Sequence, residues 1–252
     1  MADLGPKRER LAPHPVLAEY FTDEVSRRQT VDAMFDASAP HYDAITSMMS
    51  FGSGRWYRSD ALKRQNCGPG DHVLDVGAGT GAVSLIAQEL VGEEGLVVAL
   101  DPSRGMLAEA VGAGVAHATL GFGEHLPFPD NTFDLVTMGY ALRHVADLRL
   151  AFEEYLRVLK PGGRVLLLEI SSPERRLSLS LLKFYMQAIV PNLARLLSRS
   201  RDAKRLMEYY WDTIETCVAP GRIVDALGEA GFSDTHRHVV FGIFSEYSAS
   251  KQ

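Results

Sequence analysis

The residues with the clearest chemical content are a cluster of glycines and two acids beside them. Val73-Leu74-Asp75-Val76-Gly77-Ala78-Gly79-Thr80-Gly81 reads as an apolar strand running into a glycine-rich turn, followed by the helical stretch Ala82 to Leu90. Glycines permit positive φ and let a bound molecule approach the backbone without meeting a Cβ. A dinucleotide fingerprint spaces its glycines G-x-G-x-x-G to set a pyrophosphate at a helix N-terminus. Here Gly77, Gly79 and Gly81 give G-x-G-x-G, with Asp75 just before them. An acid at that place repels phosphate and attracts an ammonium group. The pattern therefore favours S-adenosylmethionine over a nicotinamide nucleotide. The plainer alternative is a helix-cap turn with incidental glycines.

Asp101 follows the next apolar run, 20 residues after Gly81. A carboxylate there can accept both hydroxyls of a ribose. Asp101-Pro102-Ser103 also suits the start of a helix, so an N-cap role stands beside the ligand role. Met106 is placed either against an adenine or in the core.

The elements that must position these groups are short apolar runs at His72–Val76, Leu96–Leu100, Val115–Leu120, Phe133–Met138 and Arg164–Ile170, separated by helical or turn-rich stretches. Such alternation is the sequence form of a parallel sheet covered on both faces. Leu148 to Leu159 reads as an amphipathic helix closed by the turn Lys160-Pro161-Gly162-Gly163. Two further strand-like runs, His236–Phe241 and Ile243–Ser250, suit a terminal antiparallel addition. The expected fold is α/β: a Rossmann-like, seven-stranded, mostly parallel sheet with a terminal antiparallel strand, helices on both faces and a small helical cap. Residues 1 to about 30 read as a polar leader, loosely attached because Pro6, Pro13 and Pro15 discourage regular structure. Residues 31–252 are expected to form the ligand-binding α/β domain. Within it, short helices are expected over 31–62, lying across another element that could be the cofactor site, and an inserted cap over about 174–215. The stretch Leu177 to Leu197 is apolar but interrupted by Lys183, Gln187, Pro191, Asn192 and Arg195, which argues against a membrane span. It is either an inserted cap or an interfacial helix that covers an apolar substrate, or a plain core helix.

The formal charge of −6 argues against nucleic acid as a partner. Cys67 and Cys217 lack paired ligand spacing, so reduced thiols in a cytoplasmic protein are expected. His236 and His238 alternate along a strand with no third ligand nearby in sequence, and no metal is expected.

From Phe35 to about Gly242 the sequence resembles the ubiquinone/menaquinone biosynthesis C-methyltransferase family. The matches include Phe35-Asp36, Ala39-Pro40-His41-Tyr42-Asp43, Met49-Ser50-Phe51-Gly52 with Arg55 and Arg58, and the glycine turn. They continue through Gly105-Met106-Leu107, Glu124-His125-Leu126-Pro127-Phe128, Ala141-Leu142-Arg143-His144-Val145, Arg157 to Gly163, Leu168-Glu169 with Ser172-Pro173, and Ala230-Gly231-Phe232. The resemblance implies methylation of a ring carbon of a prenylated quinol with S-adenosylmethionine as donor. It places Thr80, Asp101, Phe122, Gly123, Glu124 and Gly139 at the cofactor, beside Tyr42, Gly77, Gly79, Gly81, Pro102, Ser103 and Met106. The chain departs from the family at Phe122, where Asp or Asn is usual, at Gly139, where Ser is common, and at His144, where Asn follows the Arg.

A sulfonium methyl is already activated, so the protein's work is alignment and exclusion of water. For a quinol acceptor, Arg143 is the candidate cation beside the developing phenolate and His144 the candidate base. An ion pair for Arg143 and a hydrogen-bonded structural histidine are the plainer readings. The expected partner is a small apolar or aromatic substrate, with transient contact to a membrane surface; oligomeric state is left open. O- or N-methylation of another small molecule, a non-catalytic S-adenosylmethionine-binding protein, and an NAD-dependent oxidoreductase are the competing functions.

Overall fold

The computed structural model describes residues 10–252 apart from 16, 18–19, 21–23, 50–51, 172, 174–175 and 199–200. The first nine residues of the expected leader lie outside the described residues, as do Ser50, Phe51 and Ser172 of the family-like segments. Seven strands form one sheet: β1 His72–Val76, β2 Leu96–Asp101, β3 His117–Leu120, β4 Phe133–Gly139, β5 Leu159–Ile170, β6 Ser233–Val240 and β7 Phe244–Ser250. Their order is β3-β2-β1-β4-β5-β7-β6. The first five are parallel, β7 runs antiparallel to β5, and β6 pairs antiparallel with β7. His236 and His238 both lie on β6.

Period-two alternation divides the central strands between two cores. Leu74, Val76, Leu100 and Val136 face α5 (Leu148–Val158) and α9 (Pro220–Ala230), packing with Phe152, Tyr155, Ile223 and Leu227. Val73, Val97, Leu135 and Leu166 face the other way, against α2 (Gly54–Arg64) and α3 (Ser84–Val91), with Tyr57, Leu62, Ile86 and Ala87. Covering both faces is why these strands read as nearly unbroken apolar runs.

A third core joins the cap to the N-terminal helix. α6 (Arg176–Phe184), a π-helical turn (Tyr185–Ile189), α7 (Val190–Ser198) and α8 (Arg201–Glu215) bury Met186, Val190, Ala194, Leu206, Trp211 and Ile214 against Val31, Met34 and Ile45 of α1, Glu24–Met49. The cap therefore leans on α1. Leu177 to Leu197 falls within these helices, whose described buried side chains share a core with α1.

Three local expectations need correction. In place of short helices, residues 24–49 make one helix that accommodates Pro40, because its buried face is held by the cap and by α4 (Arg104–Gly112). Lys160–Gly163 belongs to β5 instead of ending a helix in a separate turn. The pairing with β4 jumps from Phe133–Leu159 to Leu135–Arg164, so the extra residues bulge out with Gly162 at φ +78°. Finally, residues 10–14 of the expected loose leader are tied down. Arg10 Nε donates to Ala146 O at 2.7 Å, Leu11 O accepts from Leu148 N at 2.9 Å, Pro13 O accepts from Val218 N at 2.7 Å, and His14 is buried.

Candidate active site

A cavity of about 400 Å³ opens at the carboxyl ends of β1, β2 and β4, the crevice where open α/β sheets receive ligands. Its size is within the roughly 300–1,000 Å³ typical of small-molecule sites. The turn after β1 forms its floor. Gly77, Gly79 and Gly81 hold φ of +65°, +57° and +85°. A Cβ on Gly77 would stand 2.5 Å from the Ala141 Cβ, while nothing lies within 4 Å of the position a Gly79 Cβ would take. Gly77 is thus demanded by packing, and Gly79 leaves the backbone open to a ligand.

At the end of β2, Asp101 is locked in place. Its Oδ2 accepts from Gly79 N and its Oδ1 from Ser103 N, both at 2.8 Å. Burial raises its carboxyl to about 6, against the lowering effect of those two N–H donors. Ser103 caps α4 by accepting from Met106 N at 3.0 Å, so the ligand-facing and helix-capping readings of this segment hold together. Beyond β3, Phe122, Gly123 and Glu124 form a wall; a Cβ on Gly123 would meet Tyr155 Oη at 2.7 Å. Glu124 Oε1 accepts from Ala146 N at 2.6 Å. Gly139 leaves room for its neighbour, since a Cβ there would lie 2.9 Å from Val83 Cγ2.

Helix α1 closes the cavity from above. Val31, Asp32, Phe35 and Tyr42 line it, and two other acids of the helix fasten it. Asp36 accepts from Ser103 Oγ and from Gly105 N at 2.9 Å, and Asp43 accepts from Thr80 Oγ1. The lid comes so close that a Cβ on Gly105 would be 3.1–3.2 Å from Asp36 atoms.

His144 lies between the lid and the cap. Its ring centroid is 5.1 Å from Phe35 and 5.7 Å from Tyr209 of α8, and it lines the cavity with Tyr140, Ala141 and Val145. Tyr140 holds φ +63°, a left-handed conformation costing a non-glycine residue about 1 kcal/mol or more, of a kind that clusters at functional sites.

Of the sequence-predicted residues, Tyr42, Gly77, Gly79, Asp101, Pro102, Ser103, Met106, Phe122, Gly123, Glu124, Gly139 and His144 meet at this cavity. Four others lie behind its wall. Asp75 is buried under the turn, accepting from Ser84 Oγ at 2.6 Å and Thr137 Oγ1 at 3.0 Å, so it shapes the turn instead of meeting an ammonium group. Thr80 is turned to Asp43. Gly81 serves packing, where a Cβ would strike Val115 Cγ2 at 2.6 Å. Arg143 is fully buried: its Nε donates to Glu169 Oε1 at 3.0 Å, its Nη1 to Tyr210 O at 3.0 Å and to Thr213 Oγ1 at 2.7 Å, and it stacks on the Tyr210 ring at 4.2 Å. It clamps the turn bearing His144 to α8. Sequence reasoning did not single out Val31, Asp32, Val76, Leu100, Met138, Ala141, Val145 and Ala146 as lining residues; the helical spacing of Val31, Phe35 and Tyr42 is the signal that reaches part of this set.

Among the described residues the lining includes the acids Asp32, Asp101 and Glu124 and no lysine or arginine. That balance suits the sulfonium and ammonium of S-adenosylmethionine and opposes a pyrophosphate. The donor set fits: Asp101 for ribose hydroxyls, the bare Gly79 backbone for the tail, and Leu100, Met106 and Phe122 as an apolar wall for an adenine.

Comparison with known proteins agrees with this geometry. The profile of the ubiE/COQ5 methyltransferase family matches residues 23–251. Demethylmenaquinone methyltransferase of Corynebacterium glutamicum (strain R) is 36% identical over 222 residues, 88% of this chain and 94% of that protein. The ubiquinone/menaquinone biosynthesis C-methyltransferase UbiE of Geobacter sulfurreducens is 35% identical over 226 residues, 86% of this chain and 87% of that protein. Among solved structures, phosphoethanolamine N-methyltransferase 2 of Haemonchus contortus in complex with S-adenosyl-L-methionine has a TM-score of 0.66 at 18% identity, covering 90% of this chain and 60% of that one. A possible histamine N-methyltransferase of Thermotoga maritima gives 0.62 at 17% identity, covering 88% and 100%. At these identities the structural likeness shows a shared fold.

Proposed function

The chain belongs to the ubiE/COQ5 methyltransferase family, and on that premise we propose that it transfers the methyl of S-adenosylmethionine to a ring carbon of a prenylated quinol. The observation that carries the acceptor class is the far side of the cavity. There Phe35, Tyr140, Ala141 and Val145 make an apolar and aromatic wall with one proton acceptor, His144, set into it. S-adenosylmethionine, when bound, supplies an electrophilic methyl. The protein's own residues do the rest. α1 and the cap exclude water from the acceptor. His144 takes the phenolic proton, which raises electron density on the ring carbon beside the oxygen; once that carbon has gained the methyl it sheds its own hydrogen as a proton to solvent, and His144 returns its proton to the oxygen. Burial raises the phenols of Tyr42 and Tyr140 well above their ordinary range, which disfavours either of them as the base. Arg143 acts through position, holding the turn that carries His144.

The test is incubation with S-adenosylmethionine and a soluble demethylated quinol, read by mass spectrometry. A carbon-linked methyl is expected; an oxygen-linked methyl moves the assignment to the O-methyltransferase reading, and no transfer to any quinol refutes the acceptor class. His144→Gln is expected to bind donor normally and to lose about 10²–10⁴-fold in kcat. An unchanged kcat would remove His144 from proton transfer.

An acceptor with a prenyl tail partitions into lipid, and the cap suits an anionic bilayer surface. Among the described residues no helix is long and apolar enough to cross a membrane. The cap nevertheless exposes Leu181, Phe184 and Ile189, within a segment, Glu174 to Arg205, that carries eight basic residues and two acids in a chain of net charge −6. Flotation with phosphatidylglycerol vesicles is expected for the native chain and weakened by Phe184→Glu; equal flotation of both would refute attachment through the cap.

A further inference from the structure

We propose that Arg58 is the site that binds the carboxylate of the donor's amino-acid tail. The inference rests on the methyl-donor reading above and assigns the one charged group of that donor for which the described lining of the cavity offers no arginine or lysine. S-adenosylmethionine carries two cationic groups and one carboxylate. The acids Asp32, Asp101 and Glu124 answer the cations, and among the described residues the lining holds no lysine or arginine. A carboxylate left beside three acids with no cation would be repelled.

Arg58 sits on α2, the helix that packs on α3, and α3 is the helix that the glycine turn feeds. Its guanidinium lies over the ring of Tyr140, 5.4 Å from the centroid, and Tyr140 is part of the cavity wall. It is near enough to lower the phenols of both Tyr42 and Tyr140, which face the cavity from α1 and β4. Among the described residues this guanidinium makes no hydrogen bond or ion pair, and its Nε is buried without a partner. The other arginines of this helix behave differently: Arg55 is paired with Glu89, and Arg64 with Glu246 and Asp60. A partly buried guanidinium with an unsatisfied donor pays a desolvation cost with no return in the empty site. A planar carboxylate offers the matching acceptor. The strained φ of Tyr140 fits the same reading, since that conformation sets the ring under the guanidinium.

The test compares S-adenosylhomocysteine with its decarboxylated analogue by calorimetric titration of the full chain, its Arg58→Gln variant and its Arg58→Lys variant. The native chain is expected to prefer the carboxylate-bearing ligand by about tenfold or more. Arg58→Gln should abolish that preference while leaving the affinity for the decarboxylated analogue unchanged, which also reports that the variant is folded. Arg58→Lys, which keeps the charge but loses the fork, should retain part of it. Native-like preference in Arg58→Gln overturns the inference while the donor reading stands. Failure of the native chain to bind either ligand overturns both. If Arg58→Gln fails to fold, Arg58→Lys decides: an undiminished preference in that variant refutes bidentate capture.

Discussion

Asp101→Asn isolates the ribose contact with little change in shape. The native carboxylate accepts from Gly79 N and Ser103 N, one on each oxygen, which leaves lone pairs on both for two ligand hydroxyls. An amide has a single acceptor oxygen, and its NH2 group points a donor at a donor, either the Gly79 N–H or the Ser103 N–H. Losing one charge-assisted hydrogen bond and creating that conflict costs about 2–3 kcal/mol, or roughly 30–150-fold in affinity. Titration with S-adenosylhomocysteine at pH 8 reads it directly. The pH dependence gives a second signature. Because burial raises the Asp101 carboxyl to about 6, the native affinity should fall about tenfold per pH unit below 6 as the acceptor is protonated, whereas the asparagine variant should show no such slope. Acid unfolding has the opposite sign here. A carboxyl whose folded pKa lies above its unfolded value contributes stability that is full below the unfolded pKa and lost as pH rises through the folded one. Asp101 and Asp75, both raised by burial to about 6, therefore favour the folded ligand-free chain as the pH drops from 7 to 5. Less than a threefold change in affinity for a folded Asp101→Asn, or a native affinity flat between pH 7 and 5, would refute the ribose assignment.

Arg143→Ala would leave Glu169, only 2% exposed, as a buried carboxylate without its ion partner, and such truncations cost about 3–5 kcal/mol. For a chain of this size that lowers Tm by on the order of 10 °C; a native Tm combined with a large loss of kcat would instead return Arg143 to the acceptor. Gly105→Ala would push the new methyl against Asp36 and loosen the lid at α4, at about 1–3 kcal/mol. Thermal melting and donor titration should both register it, the latter as a several-fold weaker Kd, and a native Kd would show that α1 does not hold the donor.

The local order of elements was legible because it depends on local physics. Period-two apolar runs, glycines needing positive φ and the Asp101-Pro102-Ser103 helix start all appear as patterns within a few residues, and they gave the sheet, the turn and most of the cofactor wall. Asp75 shows where that reading stops: its distance along the chain from the turn is right for a ligand contact, but the direction of its side chain is set by Ser84 and Thr137, the latter 62 positions away. Arg143 and His144 are neighbours in sequence, and the turn after β4 sends one into the interior against Glu169 and the other into the cavity. Helices over 31–62 lying across the cofactor site were legible, but what fastens the lid was not, for the same reason. Asp36, Asp43 and Phe35 gain their roles from Gly105, Thr80 and His144, which lie 37 to 109 positions further along the chain, and only the folded sheet brings them together. Composition and spacing thus determined which ligand the chain could cradle, while tertiary packing decided which charges face that ligand, because side-chain direction depends on neighbours that are remote in sequence.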